Sequence, residues 1–424
     1  VHPINAFNSK LDSASFLGVG LYYEFDTADF HMVWSGQVEG RPGSLTDART
    51  PLPMASASKL FTAFAAMYTM ELKPRDFYPG KYVHQFKGWE SFKNFPVVGT
   101  KIKADLTIHQ LLTHTSGLPF GMRVSKADIQ KMQLFYKPGT AFGYTIGHRV
   151  IGWILRDFWK ATPEGRRAKI KTVGDTFRWL YWNKMGLSKE TRFSNAMHSA
   201  FGFEGDAGDA SIQSTGEDLM KLAVVALNKG KLPDGEVLIS ERNWNRWAIP
   251  NLLPGGKLSK DLVKWQAGVA TWANWNVGGL KEQIMKQSGD YGWNYFGATY
   301  FGSKEIGWCG FFSSCLRVTY TQDLAFVMMQ EDVADLKKSK PYLVSHFDTL
   351  AKSLQCSYKS CGTTQQFCEE CTETRHWFHK TEYSCKDARW TPICPSSTIR
   401  RKAFGDTALG NKTHTCYVPR CHRR

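Results

Sequence analysis

The alternation of apolar and polar positions divides the chain into a strand-rich start, a helical middle and a strand-rich end. Residues 16–25 and 30–38 are rich in Val, Tyr and Phe and flank a polar Asp-Thr-Ala-Asp turn, which predicts an antiparallel strand pair. Residues 60–72 carry apolar side chains at helical spacing and predict an amphipathic helix. From 73 to about 264 the pattern is mixed, with helical stretches at 108–112, 146–158 and 218–227. The first of these ends at Thr113-His114-Thr115-Ser116-Gly117. The last follows Ser214-Thr215-Gly216-Glu217, read as a capping box beginning at Ser214. Strand patterns return at 267–272, 297–301, 303–308, 315–320 and 324–330, and a last helix is expected over about 340–354. Strands at both ends with helices between predict an α/β (α+β) fold. One antiparallel sheet is built from both chain ends and flanked by helices, with a helical insertion over about 73–264.

The pattern stops near residue 352. Beyond it hydrophobic runs vanish and Cys, Thr, Ser, Lys and Arg dominate. A segment of that size holds too little core to fold without covalent staples. The expected organisation is therefore a large domain over 1–351 and a small disulfide-rich C-terminal module over 352–424. None of the ten cysteines precedes Cys309, and eight of them crowd the module. An even number in a short, loop-rich segment reads as a disulfide framework made in an oxidising compartment. The chain begins at Val1 with no leader before it, and Asn411-Lys412-Thr413 is a candidate glycosylation acceptor. Together these lead to the expectation of a secreted glycoprotein whose signal peptide has been removed.

Composition narrows the function classes. The 424 residues are 42% hydrophobic and 22% charged, which argues against wholesale disorder. No apolar run approaches the ~18 residues of a membrane helix, and no repeat period emerges. The net charge is +16. The module alone has 13 Lys and Arg against 6 Asp and Glu, including Arg400-Arg401-Lys402 and Arg423-Arg424. That basic surface makes a polyanion such as an acidic glycan a candidate partner, with a merely solvated surface as the alternative. Nucleic acid is not expected, because no nucleic-acid fold signature accompanies the charge. Cys368-x-x-Cys371 precedes His376 and His379, but the spacing is short for a zinc finger and the other cysteines need partners, so disulfides are expected and no metal or other cofactor.

Candidate chemistry begins at Ser56-Ala57-Ser58-Lys59. Three residues apart at a helix start, Ser56 and Lys59 share one face, about 5–6 Å apart at Cβ. A serine hydroxyl needs a nearby base to act as a nucleophile, and a lysine in a dry site yields its proton more easily. The helix start adds free N–H groups for a developing oxyanion. The alternative for an isolated Ser-x-x-Lys is an N-cap serine and a solvated lysine.

Further motifs change the picture. Leu111-Leu112-Thr113-His114-Thr115-Ser116-Gly117-Leu118-Pro119 follows, then Lys137-Pro138-Gly139, Phe142-Gly143-Tyr144-Thr145-Ile146-Gly147, and near the end Gly307-Trp308-Cys309-Gly310. In this order and spacing the chain resembles the serine β-lactamase and penicillin-binding superfamily. The similarity is to the branch of class C β-lactamases, serine carboxylesterases and transesterases, and it spans about 16–354. The resemblance implies Ser56 as the acyl-accepting nucleophile, Lys59 as its partner base and Tyr144 as the proton shuttle. It also implies an oxyanion hole from the N–H groups of Ser56 and Phe311. A tyrosine titrates near 10 in water and works as a base near neutrality only beside a cation, for which Lys59 is the candidate. The family pattern assigns His114 no chemistry, so a structural role is expected for it.

Two departures steer the substrate class. Ile146 stands where the family often has Asn, and Trp308 where β-lactamases and peptidases have Lys or His. Ile146 cannot hydrogen-bond a substrate amide, and Trp308 supplies no cation for a substrate carboxylate. With Cys309 and Gly310 these positions are expected to line the substrate site, where an apolar wall suits a neutral ester. In the family the strand holding Trp308-Cys309-Gly310 turns sharply into the next, which implies a Cys309–Cys315 disulfide across the hairpin rather than a catalytic Cys309 thiol. The expectation is a secreted serine esterase or acyltransferase acting on a small ester or acyl donor. The alternatives are a D-amino-acid peptidase, amidase or β-lactamase-like amide hydrolase, and a non-catalytic binding or matrix protein keeping the fold.

Overall fold

The computed structural model describes residues 18–24, 29–35, 49–119, 121, 124–194, 206–256, 291–300, 305–310, 314–320 and 324–330. In the C-terminal part it describes 365–367, 370–375, 381–386, 389–391 and 413–414. The chain divides into two compact units, Leu11–Val344 and Val1–Lys10 with Ser345–Arg424. The strands expected at 267–272 and the helix expected at 340–354 lie outside the described residues.

In the larger unit, strands β1 (Gly18–Glu24) and β2 (Asp29–Ser35) pair as the hairpin the hydropathy pattern predicts. The helices follow: α1 (Ser58–Leu72), α2 (Ile108–Leu112), α3 (Lys126–Gln130), α4 (Gly147–Ala161), α5 (Pro163–Arg167), α6 (Val173–Phe177), α7 (Gly216–Leu227) and α8 (Glu241–Trp247). The chain then returns to strands β3 (Tyr291–Asn294), β4 (Gly297–Tyr300), β5 (Glu305–Cys309), β6 (Cys315–Thr319) and β7 (Leu324–Gln330). Strand β3 was not read from the pattern.

These strands form one antiparallel sheet in the order β2-β1-β7-β6-β5-β4-β3. The N-terminal strand lies against the last one, Gly18 opposite Gln330 through Glu24 opposite Leu324, so the two ends of this unit close a single sheet. Helix α7 packs against β7, β6 and β1. Helix α1 packs against α4, and its turn of entry lies against β5.

Helix α1 corrects one expectation. It is not amphipathic: every residue from Ser58 to Met70 is buried. A helix buried all round must satisfy its polar side chains internally. Thr62 Oγ1 donates to the Gly208 carbonyl at 2.6 Å, and Thr69 Oγ1 donates to the Ala65 carbonyl at 2.8 Å while accepting from Trp159 Nε1 at 2.9 Å. Aromatic rings surround the rest, with Phe64 against Tyr181 at 5.0 Å and Phe61 edge-on to Trp182 at 6.0 Å.

The start of α7 corrects a second. The capping residue is Thr215, whose hydroxyl accepts the Asp218 N–H at 3.1 Å. Ser214 instead ends a short strand paired with Leu52, and its hydroxyl meets Thr191 Oγ1 at 2.8 Å. Local sequence offered two adjacent hydroxyls, and sheet pairing claimed the first.

In the smaller unit, strands β8 (Gln365–Phe367) and β11 (Arg389–Thr391) pair with each other, and β9 (Glu370–Arg375) lies between β10 (Thr381–Lys386) and β12 (Thr413–His414). Cys371 stands opposite Cys385 in the β9–β10 register. The other six cysteines of this segment and Asn411 lie outside the described residues.

Thr215→Ala is expected to cost about 1 kcal/mol of stability, the usual worth of a helix cap. Urea unfolding checks it; an unchanged midpoint would return the cap to another residue.

Candidate active site

Ser56 sits in a single 3₁₀ turn, Ala55–Ala57, that leads directly into α1. Ala55 has φ of 43°, a left-handed conformation that costs a non-glycine residue on the order of 1 kcal/mol and recurs where structure is held for function. Two features hold this turn. Met54 N–H donates to the Ile212 carbonyl at 2.9 Å, extending the pairing of Leu52 and Pro53 with Ser214 and Gln213. From the other side, the end of β5 presses on it. A Cβ on Gly310 would lie 2.0 Å from the Met54 carbonyl oxygen and 3.2 Å from Ala57 N, so only glycine allows this approach. Ser56 itself is half-buried, and among the described residues its hydroxyl has no hydrogen-bond partner.

Lys59, in the first turn of α1, is only 2% exposed. Its Nζ donates to the Asp209 carbonyl oxygen at 2.8 Å and lies 4.7 Å from the centre of the Tyr144 ring. Asp209 is held in turn by Arg149 of α4, through Nε to Oδ1 at 2.8 Å and Nη2 to Oδ2 at 3.1 Å. Burial alone would raise the Asp209 carboxyl; Arg149 and Lys59 more than offset it and hold the group below its ordinary value. Removing one partner of such a buried pair costs about 3–5 kcal/mol, because the other charge is left uncompensated.

Tyr144 lies in the loop before α4. Its Oη accepts a hydrogen bond from Trp308 Nε1 on β5 at 3.1 Å. Its ring packs on His114 at 4.6 Å and on Trp308 at 5.7 Å. His114 braces this loop through three bonds. Its Nδ1 accepts the Thr145 N–H at 3.1 Å, and its carbonyl accepts from Gly143 N at 2.9 Å and Tyr136 Oη at 3.3 Å. His114 is fully buried and itself left-handed, with φ of 56°. Trp293 completes the wall, edge-on to Trp308 at 4.6 Å, with its Nε1 donating to the Leu112 carbonyl at 3.1 Å.

Strand β5 meets β6 with Cys309 opposite Cys315, and the two sulfurs are bonded. Ser314 ties the same hairpin to the nucleophile side, its Oγ donating to the Pro53 carbonyl at 3.0 Å. The structure thus brings Lys59, Tyr144, Trp308 and Gly310 around the Ser56 turn. Phe311 lies outside the described residues. Ile146 is a correction: at 0% exposure it belongs to the core, capping the start of α4, and has no surface to offer a substrate. Among the described residues no cluster of three or more His, Cys, Asp or Glu could hold a metal ion, and no helix is long and apolar enough to cross a membrane.

A sequence model of the Beta-lactamase family matches residues 26–344, three-quarters of the chain. The protein belongs to that family. Its fold is shared by EstCE1, described as a hydrolase with promiscuous acyltransferase activity, at 15% identity over 82% of this chain and 97% of that one, with a TM-score of 0.58. The unliganded simvastatin synthase LovD from Aspergillus terreus matches at 15% identity over 85% and 99%, with a TM-score of 0.60. A putative 6-aminohexanoate-dimer hydrolase from Bacillus anthracis matches at 12% identity over 83% and 82%, with a TM-score of 0.56. No curated protein matches the chain. At these identities the similarity speaks for a shared fold.

Within this β-lactamase-family frame, two buried residues had no sequence signal. Asp209 acts through its backbone carbonyl, which any residue carries, and its carboxylate finds Arg149 only in three dimensions. His148 packs on His114 with ring centres 4.9 Å apart. His114 Nε2 and His148 Nδ1 are buried without a hydrogen-bond partner among the described residues. Burial, then the charge of Lys59, pushes His148 down to about 3, and burial with His148 and Lys59 pushes His114 in the same direction. Both rings are therefore neutral at working pH.

The sign of the pH effect follows. The unfolded chain takes up a proton at His148 near 6.5, and the folded chain does so only near 3. Its contribution to stability is complete above about 6.5 and is lost as pH falls toward 3. Urea unfolding between pH 7 and 4 is expected to show a shallower loss of stability in His148→Gln than in the unmodified protein. Parallel pH dependences would contradict the assignment.

Proposed function

We propose that the protein is a serine esterase or acyltransferase that works through an acyl-enzyme on Ser56. The observation that carries this reading is the convergence on Tyr144: Trp308 Nε1 bonds its Oη at 3.1 Å, and Lys59 Nζ lies 4.7 Å from its ring. Residues from three separated motifs thereby meet at one tyrosine, and among the described residues the Ser56 hydroxyl has no hydrogen-bond partner.

The chemistry follows from these groups. Ser56 Oγ attacks the carbonyl carbon of an ester, and its proton passes to the Tyr144–Lys59 pair. The carbonyl oxygen becomes an oxyanion, met by the N–H groups of Ser56 and Phe311. The C–O bond of the ester breaks, and the leaving alkoxide takes the proton from the same pair. Water or an alcohol then attacks the acyl-enzyme and gives up its proton to the pair, which passes a proton to Ser56 Oγ as the acyl C–Oγ bond breaks. With water the product is an acid; with an alcohol it is a new ester.

Trp308 favours a neutral ester over a carboxylate-bearing substrate. It places an uncharged indole where a cation would be needed, and it satisfies the Tyr144 oxygen with a hydrogen bond instead. The esterase and acyltransferase named among the structural neighbours agree with this reading. The neighbour named for amide hydrolysis keeps a D-peptide or amide substrate as the competing reading. Secretion is part of the proposal and is supported by the Cys309–Cys315 disulfide, since such bonds persist in oxidising compartments. The basic C-terminal module is proposed to be a separate stapled domain that contacts an acidic glycan.

Incubation with activated esters of graded chain length is expected to yield an acyl mass adduct on the Ser56 peptide and turnover, both absent in Ser56→Ala. Turnover of D-peptides without turnover of esters would favour the amidase reading; neither activity would favour a binding protein. Trp308→Phe is expected to lower kcat/KM by roughly 10- to 100-fold, the worth of about 1.5–3 kcal/mol for a hydrogen bond to a charged oxygen. Trp308→His, which keeps an N–H, is expected to recover part of it. Unchanged steady-state kinetics in Trp308→Phe would remove Trp308 from the mechanism.

A further inference from the structure

Lys160, Arg166, Arg167, Lys169 and Lys171 lie within twelve residues, all exposed, at the junction of α4, α5 and α6. Among the described residues none of these side chains has a carboxylate within ion-pair distance. The one acid in the stretch, Glu164, is engaged by Lys73 at 3.1 Å. Nearby Asp175 spends its carboxylate on the Lys171 and Thr172 N–H groups at the start of α6. Asp175 keeps its charge beside Lys171, so the five cations present a net positive charge.

The backbone adds an independent observation. Helix α5 ends with Lys169 N–H on the Arg166 carbonyl and Ile170 N–H on the Gly165 carbonyl, both at 3.1 Å. This is the terminating motif whose left-handed residue is usually glycine. Here it is Lys169, with φ of 56°. A lysine there costs on the order of 1 kcal/mol against glycine. Lys229 ends α7 in the same way, with φ of 52°, but its ammonium pairs with Glu241 at 2.6 Å. Among the described residues Lys169 has no such partner to offset the strain.

We propose that this patch binds a sulfated polysaccharide. Clustered cations at the spacing of Arg166-Arg167-Ala168-Lys169-Ile170-Lys171 suit a repeating anion along one face. Residues 160–171 carry no aromatic side chain to stack on bases, and Ile170, the one large apolar residue among them, is 3% exposed. The Cys309–Cys315 disulfide fits an extracellular setting, where the polyanions are glycans. The patch lies in a different stretch of the chain from the basic C-terminal module and does not depend on the esterase reading.

The full chain is to be tested on heparin at 0.15 M salt, a concentration of about physiological ionic strength. Replacing Arg167, Lys169 and Lys171 by Ser, Gly and Ser is expected to weaken binding about tenfold or more, because fewer counterions are released. Replacing exposed Lys101, Lys103 and Lys131 by Ser removes the same charge and is expected to change affinity less than about twofold. Lys169→Gly alone is expected to raise or preserve the melting temperature while weakening heparin binding, which a purely structural lysine would not do. Equal losses in patch and control variants would overturn the patch. So would loss confined to Arg400→Ser with Arg401→Ser in the C-terminal module. Patch-dependent binding of duplex DNA or phosphatidylserine vesicles as tight as that of heparin would overturn the glycan assignment.

Discussion

A lysine nitrogen buried at the start of a helix must be met by oxygen, and the site is organised around how this happens for Lys59. The Asp209 carbonyl receives it at 2.8 Å, and the Arg149–Asp209 pair holds that carbonyl in place. A buried ion pair adds little net stability over an apolar contact, but leaving one partner unpaired is costly. The pair therefore acts as a latch. It fixes the segment around 207–210 against both α1 and α4, and α4 begins just after the Tyr144 loop. The nucleophile turn, the lysine and the tyrosine are thus referred to one buried set of contacts.

The second constraint is close approach of backbone. Gly310 lets β5 press on the Met54 carbonyl, and Gly147 lets α4 start where a Cβ would lie 2.3 Å from the Leu111 carbonyl oxygen. The first contact sets the distance from the end of β5 to Ser56, and the second sets the loop carrying Tyr144 against the segment carrying His114. The disulfide between Cys309 and Cys315 and the Ser314 bond to Pro53 keep the β5–β6 end from drifting away. Left-handed residues at Ala55 and His114 show where local backbone preference yields to this arrangement.

Trp308 shows how a departure from a family pattern is resolved. From sequence it read as the loss of a cation and an apolar wall. In the structure its indole nitrogen bonds the Tyr144 oxygen, so the position still serves the tyrosine through a neutral donor. Ile146 read as part of that wall is instead core, because the start of α4 turns it inward. His114 was legible as structural, and neither its buried neighbour His148 nor the buried Asp209 behind Lys59 was legible at all.

The sequence by itself determined what short-range physics controls. The N-terminal hairpin, the helix at 108–112 and four of the late strands follow from period and turn residues, while the motifs of Ser56, Lys59, Tyr144 and Trp308 were legible through their resemblance to a family pattern. Tertiary structure decided the rest. Helix α1 became buried on every side because elements from both halves of the chain close over it. Thr215 rather than Ser214 capped α7 because a strand took the serine. Lys59 found Asp209, 150 residues away, through a carbonyl that no side-chain pattern marks. Contacts of that kind cost loop entropy to close and depend on the whole fold being in place.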